Sequence, residues 1–193
     1  MDRLSKLSPT QLAFFEQLKE VYGQLDTSFL EELNRSVSFG DVFVDRWERA
    51  RKLGFGDKTN IYDSSLVIGE VKVGSDCWIG PYTILDGSGG LEIGDYSTIS
   101  SGVHLYSHDN VKSTLSSGKL PMEREKVRIG NNTYIAPNVI VAKGVNLGNF
   151  CVIGAGSFVN KSFPDYSIVA GVPAKQIGVV KVIEDGFQFE YFK

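Results

Sequence analysis

The sequence predicts a mainly β protein, a parallel β-helix preceded by a small helical cap, and three features of the 193-residue chain predict it. Aliphatic residues recur at every sixth position, as Ile129, Ile135, Val141, Leu147, Ile153 and Val159. A glycine often follows the periodic residue, as at Gly74, Gly94, Gly130 and Gly148. The rhythm also runs further toward the N-terminus, through Ile61, Val67, Val73, Ile79, Leu85, Ile93, Ile99 and Leu105, with two interruptions. A helix buries residues at intervals of three and four and a strand at intervals of two, so neither alone selects one position in six. A chain that turns a corner every six residues makes flat faces, and three faces close one triangular coil of about 18 residues. The periodic aliphatic then points inward over its counterpart in the coil below, and the following glycine permits the bend. Spacing does not fix the hand; a parallel crossover is ordinarily right-handed.

The elements follow in order. Ser8-Pro9-Thr10-Gln11 reads as an N-cap, a first-turn proline and a capping-box Gln, and the spacing of Leu12, Phe15, Leu18 and Tyr22 predicts an amphipathic helix ending near Tyr22. A second short helix is expected from Asp45 to before Gly54, and residues 1–56 together form the cap. The β-helix spans 57–180, broken by the insertion Asp86-Gly-Ser-Gly-Gly90 and by a long loop over 107–127 that carries no rhythm. Residues 181–193 are a C-terminal tail. Long loops in compact repeats are usually functional or disordered.

Composition narrows the function. A formal charge of -3 with dispersed Lys and Arg excludes a non-specific hold on nucleic acid. No apolar run approaches the roughly 20 residues of a membrane span, and the N-terminus lacks a charged-then-apolar signal pattern, so a soluble, cytoplasmic protein is expected. Cys77 and Cys151 each lie two residues before a periodic aliphatic, in a slot that also takes Val71, Ser97, Thr133 and Ser157. Buried, inert thiols are expected there.

The repeat [Leu/Ile/Val]-Gly-x-x-[small]-x, together with Ala170-Gly-Val-Pro-Ala-Lys-Gln-Ile177, resembles the hexapeptide-repeat acyltransferases over residues 61–178. Within them the chain looks most like the bacterial sugar and surface-polysaccharide O-acetyltransferases, including the galactoside and maltose enzymes. The resemblance implies a left-handed β-helix, the exception to the crossover rule, assembled as a homotrimer with acetyl-CoA between subunits and a sugar or glycan as acceptor. No metal is expected.

Acetyl transfer to a hydroxyl needs a base, and histidine is best suited to it near neutrality. The chain has only His104 and His108. His104 precedes the inward Leu105 and so points outward as a surface or packing residue. His108 stands where the rhythm breaks, in Tyr106-Ser-His-Asp109, where the family carries its catalytic base. Asp109 is either a turn former or a substrate-side residue that orders the loop. Asp86, 22 residues before His108, matches a family acid that binds acceptor hydroxyls, although Asp before Gly also suits a plain turn. Ser-His-Asp stands where the galactoside enzymes carry a Gly-His-Pro type of loop, and the difference bears on the acceptor. Trp78 and Tyr82 project outward beside Ile79; the indole either stacks on a sugar or packs under the cap or at a subunit contact. For the donor, the family's pantetheine groove asks for small corner residues, which Ala136, Ala142, Ala155 and Gly156 supply. Its cofactor contacts fall on Ala155, Asn160, Lys161 and Lys175, the last matching a basic residue that faces the nucleotide phosphates.

The expected reaction is direct transfer, with His108 taking the acceptor proton and a backbone N–H holding the oxyanion. Three rivals stand beside it: N-acetylation of a nucleotide-linked amino sugar, a zinc lyase on a β-helix trimer, and a non-catalytic β-helix serving as an assembly surface. The zinc site would call for three histidines, and the chain has two.

Overall fold

The computed structural model describes residues 4–184 and 186–192; residues 1–3, Asp185 and Lys193 of the expected cap and tail lie outside them. The chain divides into two compact units, Met1–Asp45 and Arg46–Lys193.

The first unit is helical. Helix α1 (Pro9–Leu33) starts at Ser8, whose hydroxyl accepts from the Gln11 amide while the Gln11 side chain accepts from the Ser8 amide, the reciprocal capping box read from the sequence. It runs eleven residues past the expected end at Tyr22 and stops at Asn34, which takes the left-handed conformation at φ 49°. Gly23 looks like a stop signal, but nothing approaches within 4 Å of the Cβ it lacks. A helical glycine costs only about 1 kcal/mol, and the apolar spacing resumes beyond it at Leu25, Phe29, Leu30 and Leu33. Helix α2 (Phe39–Phe43) returns so that Phe39 and Phe43 meet Tyr22, with ring centroids at 5.2 and 6.3 Å.

The second unit opens on helix α3 (Arg46–Lys52), near the expected second helix, and continues as a parallel β-helix. The hexad positions become three inward stacks. On the first face Ile61, Ile79, Ile99, Ile135, Ile153 and Val169 lie in register and are all fully buried. The second face aligns Val67, Leu85, Leu105, Val141 and Val159, and the third Val73, Ile93, Ile129, Leu147 and Phe163. Truncating one of these side chains to Ala would cost about 2–5 kcal/mol, because coils above and below pin the cavity open.

Corners explain the remaining pattern. A Cβ on Gly130 would lie 2.5 Å from the Gly148 carbonyl carbon, so the coils approach as closely as they do only because the corner has no side chain. In the small slot before the first-face aliphatics, Ser97 Oγ donates to Gly130 O and Thr133 Oγ1 to Gly148 O of a neighbouring coil, both at 3.0 Å. Cys77 and Cys151 occupy the same slot and bond Gly94 O and Pro164 O at 3.1 and 3.2 Å. Both thiols are buried and free, and burial pushes both up in pKa, as inert cysteines should be.

Beyond Val169 the winding ends. Ser167–Gly171 pairs antiparallel with Ala174–Ile183, which pairs antiparallel with Gly186–Tyr191, so most of the segment read as a tail extends the first-face sheet. The long loop also carries structure: His108–Asp109 pairs antiparallel with Glu123–Arg124, and helix α4 (Val111–Leu115) lies between them.

Candidate active site

The site sits at the corner between the second and third faces. Asp86 follows the inward Leu85, and the five-residue insertion that begins with it widens the coil there. One coil on, Tyr106 is in register with Asp86, and Ser107 and His108 follow as the loop departs. The topology therefore brings Asp86 against His108 although 22 residues separate them.

Asp86 is completely buried, and its carboxylate collects five hydrogen bonds. Oδ1 accepts from the Ser88 amide at 3.0 Å and the Ser88 hydroxyl at 2.5 Å. Oδ2 accepts from the Ser107 amide at 2.9 Å, the Ser107 hydroxyl at 3.3 Å and His108 Nδ1 at 2.6 Å. Burial pushes its pKa upward, but the bonds from Ser88, His108 and Ser107 outweigh it and bring the carboxyl down to about 2. An ionised carboxylate only accepts, so Nδ1 of His108 carries a proton, and Nε2 is the nitrogen of that ring left to accept one. The His108 side chain is 28% exposed, and solvent reaches it.

His104 has a different setting. It lies on the second face in register with Ile84 and Ile140, with its Nδ1 3.5 Å from the Tyr106 hydroxyl and its ring edge-on to that tyrosine. Its polar partner is thus a phenol at the limit of hydrogen bonding.

The other sequence-derived positions scatter. Asp109 adjoins His108, but its carboxylate caps the Val111 amide at 3.0 Å and pairs with Lys143 at 2.9 Å. Asp86, expected to bind acceptor hydroxyls, faces inward with its acceptor capacity taken up by protein donors. Trp78 is on the first face, edge-on to Tyr62, which is in turn stacked under the Arg46 guanidinium; Tyr82 is exposed at a corner with φ 59°. Ala136 and Ala155 lie on successive coils at the corner between the first and second faces, Ala136 buried and Ala155 exposed. Asn160 and Lys161 are exposed at the next corner, where the Lys161 ammonium lies 5.4 Å from the Phe163 ring centre. Lys175 is exposed on the terminal antiparallel strand, opposite Ala170.

Sequence reasoning missed Ser88, Ser107 and Lys143. Ser88 lies within the insertion and Ser107 beside His108, and nothing in the local sequence marks either as a donor to Asp86. Lys143 comes from the following coil, and nothing in its local sequence sets it apart from a surface lysine. Among the described residues no group of three His, Cys, Asp or Glu side chains is arranged to hold a metal ion, and no helix is long and apolar enough to cross a membrane.

Comparison with known proteins bears on the repeat and the fold. Residues 126–161 match the bacterial transferase hexapeptide (six repeats) family. A probable acetyltransferase of Mycobacterium tuberculosis is 30% identical over 154 residues, which cover 76% of this chain and 47% of that protein, so the chain spans less than half of that relative's length. The galactoside O-acetyltransferase of Escherichia coli is 29% identical over 141 residues, 63% of this chain and 68% of that enzyme. Among solved structures, the N-acyltransferase AntD of Bacillus cereus, crystallised with dTDP and 3-hydroxybutyryl-CoA, superposes with a TM-score of 0.59 at 28% identity, over 65% of this chain and 71% of that one. The fold is therefore the left-handed parallel β-helix of the hexapeptide-repeat proteins.

Proposed function

We propose that this chain, which is similar to the hexapeptide-repeat acyltransferases, transfers an acetyl group from acetyl-CoA to a sugar hydroxyl, with His108 as general base. The observation that carries the proposal is the 2.6 Å contact between His108 Nδ1 and the buried, ionised Asp86. That contact fixes the tautomer and ring orientation that a base needs, and it places the free Nε2 on the solvent side of the corner.

The proposed step is direct. The acceptor oxygen attacks the thioester carbonyl as Nε2 takes its proton; the tetrahedral oxyanion is held by a backbone N–H; the C–S bond then breaks and the thiolate leaves, recovering the proton from the imidazolium. Asp86 does not touch the acceptor in this scheme. It stabilises the imidazolium and holds the ring, which is the role its saturated hydrogen bonding supports. Asp109 orders the loop, and Trp78, on another face and edge-on against Tyr62, serves packing rather than the acceptor of the same chain.

For the donor, the stacked corners at Ala136 and Ala155 are small enough to admit a pantetheine arm between two β-helices, and Asn160, Lys161 and Lys175 are exposed where polar and cationic groups meet a nucleotide. A homotrimer with the donor between neighbours is the assembly that such shared grooves require. Surface-polysaccharide or lipopolysaccharide synthesis is the setting we assign to the acceptor. The similarity to an N-acyltransferase keeps one competitor in view, an amino-sugar acceptor. The test is transfer from labelled acetyl-CoA to matched hydroxyl and amino sugars, free and nucleotide-linked. Esters formed on hydroxyl sugars support the reading; turnover only with amines would replace it.

A further inference from the structure

Both ends of the long loop converge on a single side chain that the reaction scheme does not use. The Lys143 ammonium lies 2.9 Å from Asp109 Oδ2, 3.3 Å from Glu123 Oε2 and 3.8 Å from Glu125 Oε1, and its side chain is only 18% exposed. Asp109 and Glu123 are register partners in the two-residue ladder at the loop mouth, and the next pair in that ladder is His108 with Arg124. Like charges directly opposite one another destabilise a strand pair. Lys143 neutralises that opposition from the coil above, while Lys112 takes the other Glu123 oxygen at 2.5 Å. The backbone is shaped for the same contact. The Gly144 amide donates to Glu125 O at 3.2 Å, and a Cβ on Gly144, which sits at φ +77°, would come within 2.5 Å of the Glu125 carboxylate. The ladder closes further where the Glu125 amide donates to Ser107 O at 2.9 Å, one residue from His108.

Resting on the acyltransferase reading only for its effect on the transfer rate, we infer that Lys143 is a positioning residue: it clamps the loop mouth and thereby holds the His108 backbone where the imidazole meets Asp86. An isolated surface ion pair contributes little, but one ammonium shared by three carboxylates at low exposure is a network, and its removal leaves the carboxylates repelling one another. The His108 ring then loses its register with Asp86, and a displacement of about 1 Å is enough to cost up to 100-fold in rate.

The experiment compares Lys143→Met and Lys143→Arg with the unaltered chain in a His104→Gln background, so that a single imidazole remains to be observed by ¹⁵N NMR. Three readouts are taken: the tautomer of His108, tryptic cleavage within residues 107–126, and steady-state transfer from acetyl-CoA. The clamp predicts a clean Nδ1–H tautomer in the parent. In Lys143→Met it predicts mixed tautomers, faster loop cleavage, kcat lower by at least about tenfold and an unchanged KM for acetyl-CoA, with Lys143→Arg restoring all three. An Nδ1–H tautomer that persists in a Lys143→Met protein with a cleavable loop would overturn the inference, since the loop would then be held independently of the histidine. A parent that transfers no acyl group would overturn the acyltransferase reading instead, and the tautomer comparison would still decide the clamp.

Discussion

Replacing Asp86 by Asn removes one charge and almost no volume, and the five bonds around the carboxylate allow its effect to be worked out. One oxygen becomes an NH₂ group, which has nowhere favourable to go. Placed on the Ser88 side it faces the Ser88 amide, a donor against a donor. On the other side it faces the Ser107 amide and His108 Nδ1. Either way a buried backbone N–H is left unpaired at a cost of about 1–3 kcal/mol. In the second orientation Nδ1 must accept, so the proton moves to Nε2 and the base is blocked. The expected loss in kcat is on the order of 10²–10⁴, the range of general-base catalysis, with little change in KM for acetyl-CoA. Stability should respond in a defined pH window. The folded carboxyl titrates at about 2 against an ordinary 3.8, so its ionised form favours the folded state by about 2 kcal/mol. Because the folded value is the lower one, that contribution is complete above the unfolded pKa and is lost as pH falls toward 2. Urea titrations near pH 7 and pH 2.5 should therefore separate the Asn variant from the parent widely at the first and narrowly at the second. A folded Asn variant with kcat within about threefold of the parent would refute the positioning role of Asp86.

Two further substitutions probe the donor and the fold. Lys175→Glu should raise KM for acetyl-CoA by about tenfold and leave kcat nearly unchanged, since a lysine facing phosphates contributes equally before and during transfer; steady-state kinetics over donor concentration checks it, and an unaltered KM refutes the assignment. Gly130→Ala should destabilise the β-helix by more than about 2 kcal/mol, because its Cβ would meet the Gly148 backbone at 2.5 Å; chemical denaturation measures it, and a neutral result would mean that the coils can part at that corner.

What could be read in advance divides by the range of the cause. The inward stacks were legible because the period is local: each coil repeats the same corner, so Ile135 or Ile153 announces its own burial. The cysteine slot was legible for the same reason. The pairing of Asp86 with His108 was half legible, since the coil length brought both to one side, but the insertion turned the carboxylate inward, and only the Ser88 and Ser107 donors account for why it is tolerated there. Helix α1 overran its expected end because Gly23 breaks a helix only when the neighbouring residues fail to support it. The loop order was not legible at all, because Lys143 acts across 34 residues on Asp109 and from outside the segment it organises. Trp78 showed its outward direction in the hexad register but not its partner, Tyr62, 16 residues earlier.

The most direct test is single-turnover transfer of labelled acetyl from acetyl-CoA to a sugar acceptor by the His108→Ala protein, with His104→Ala alongside. If His108 is the base that Asp86 orients, its removal should leave the chain folded and able to bind acetyl-CoA, with the transfer rate reduced on the order of 10²–10⁴, while His104→Ala keeps most of its rate. A His108→Ala protein that transfers as fast as the parent, or a His104→Ala protein that fails where His108→Ala succeeds, would contradict the assignment of the catalytic base.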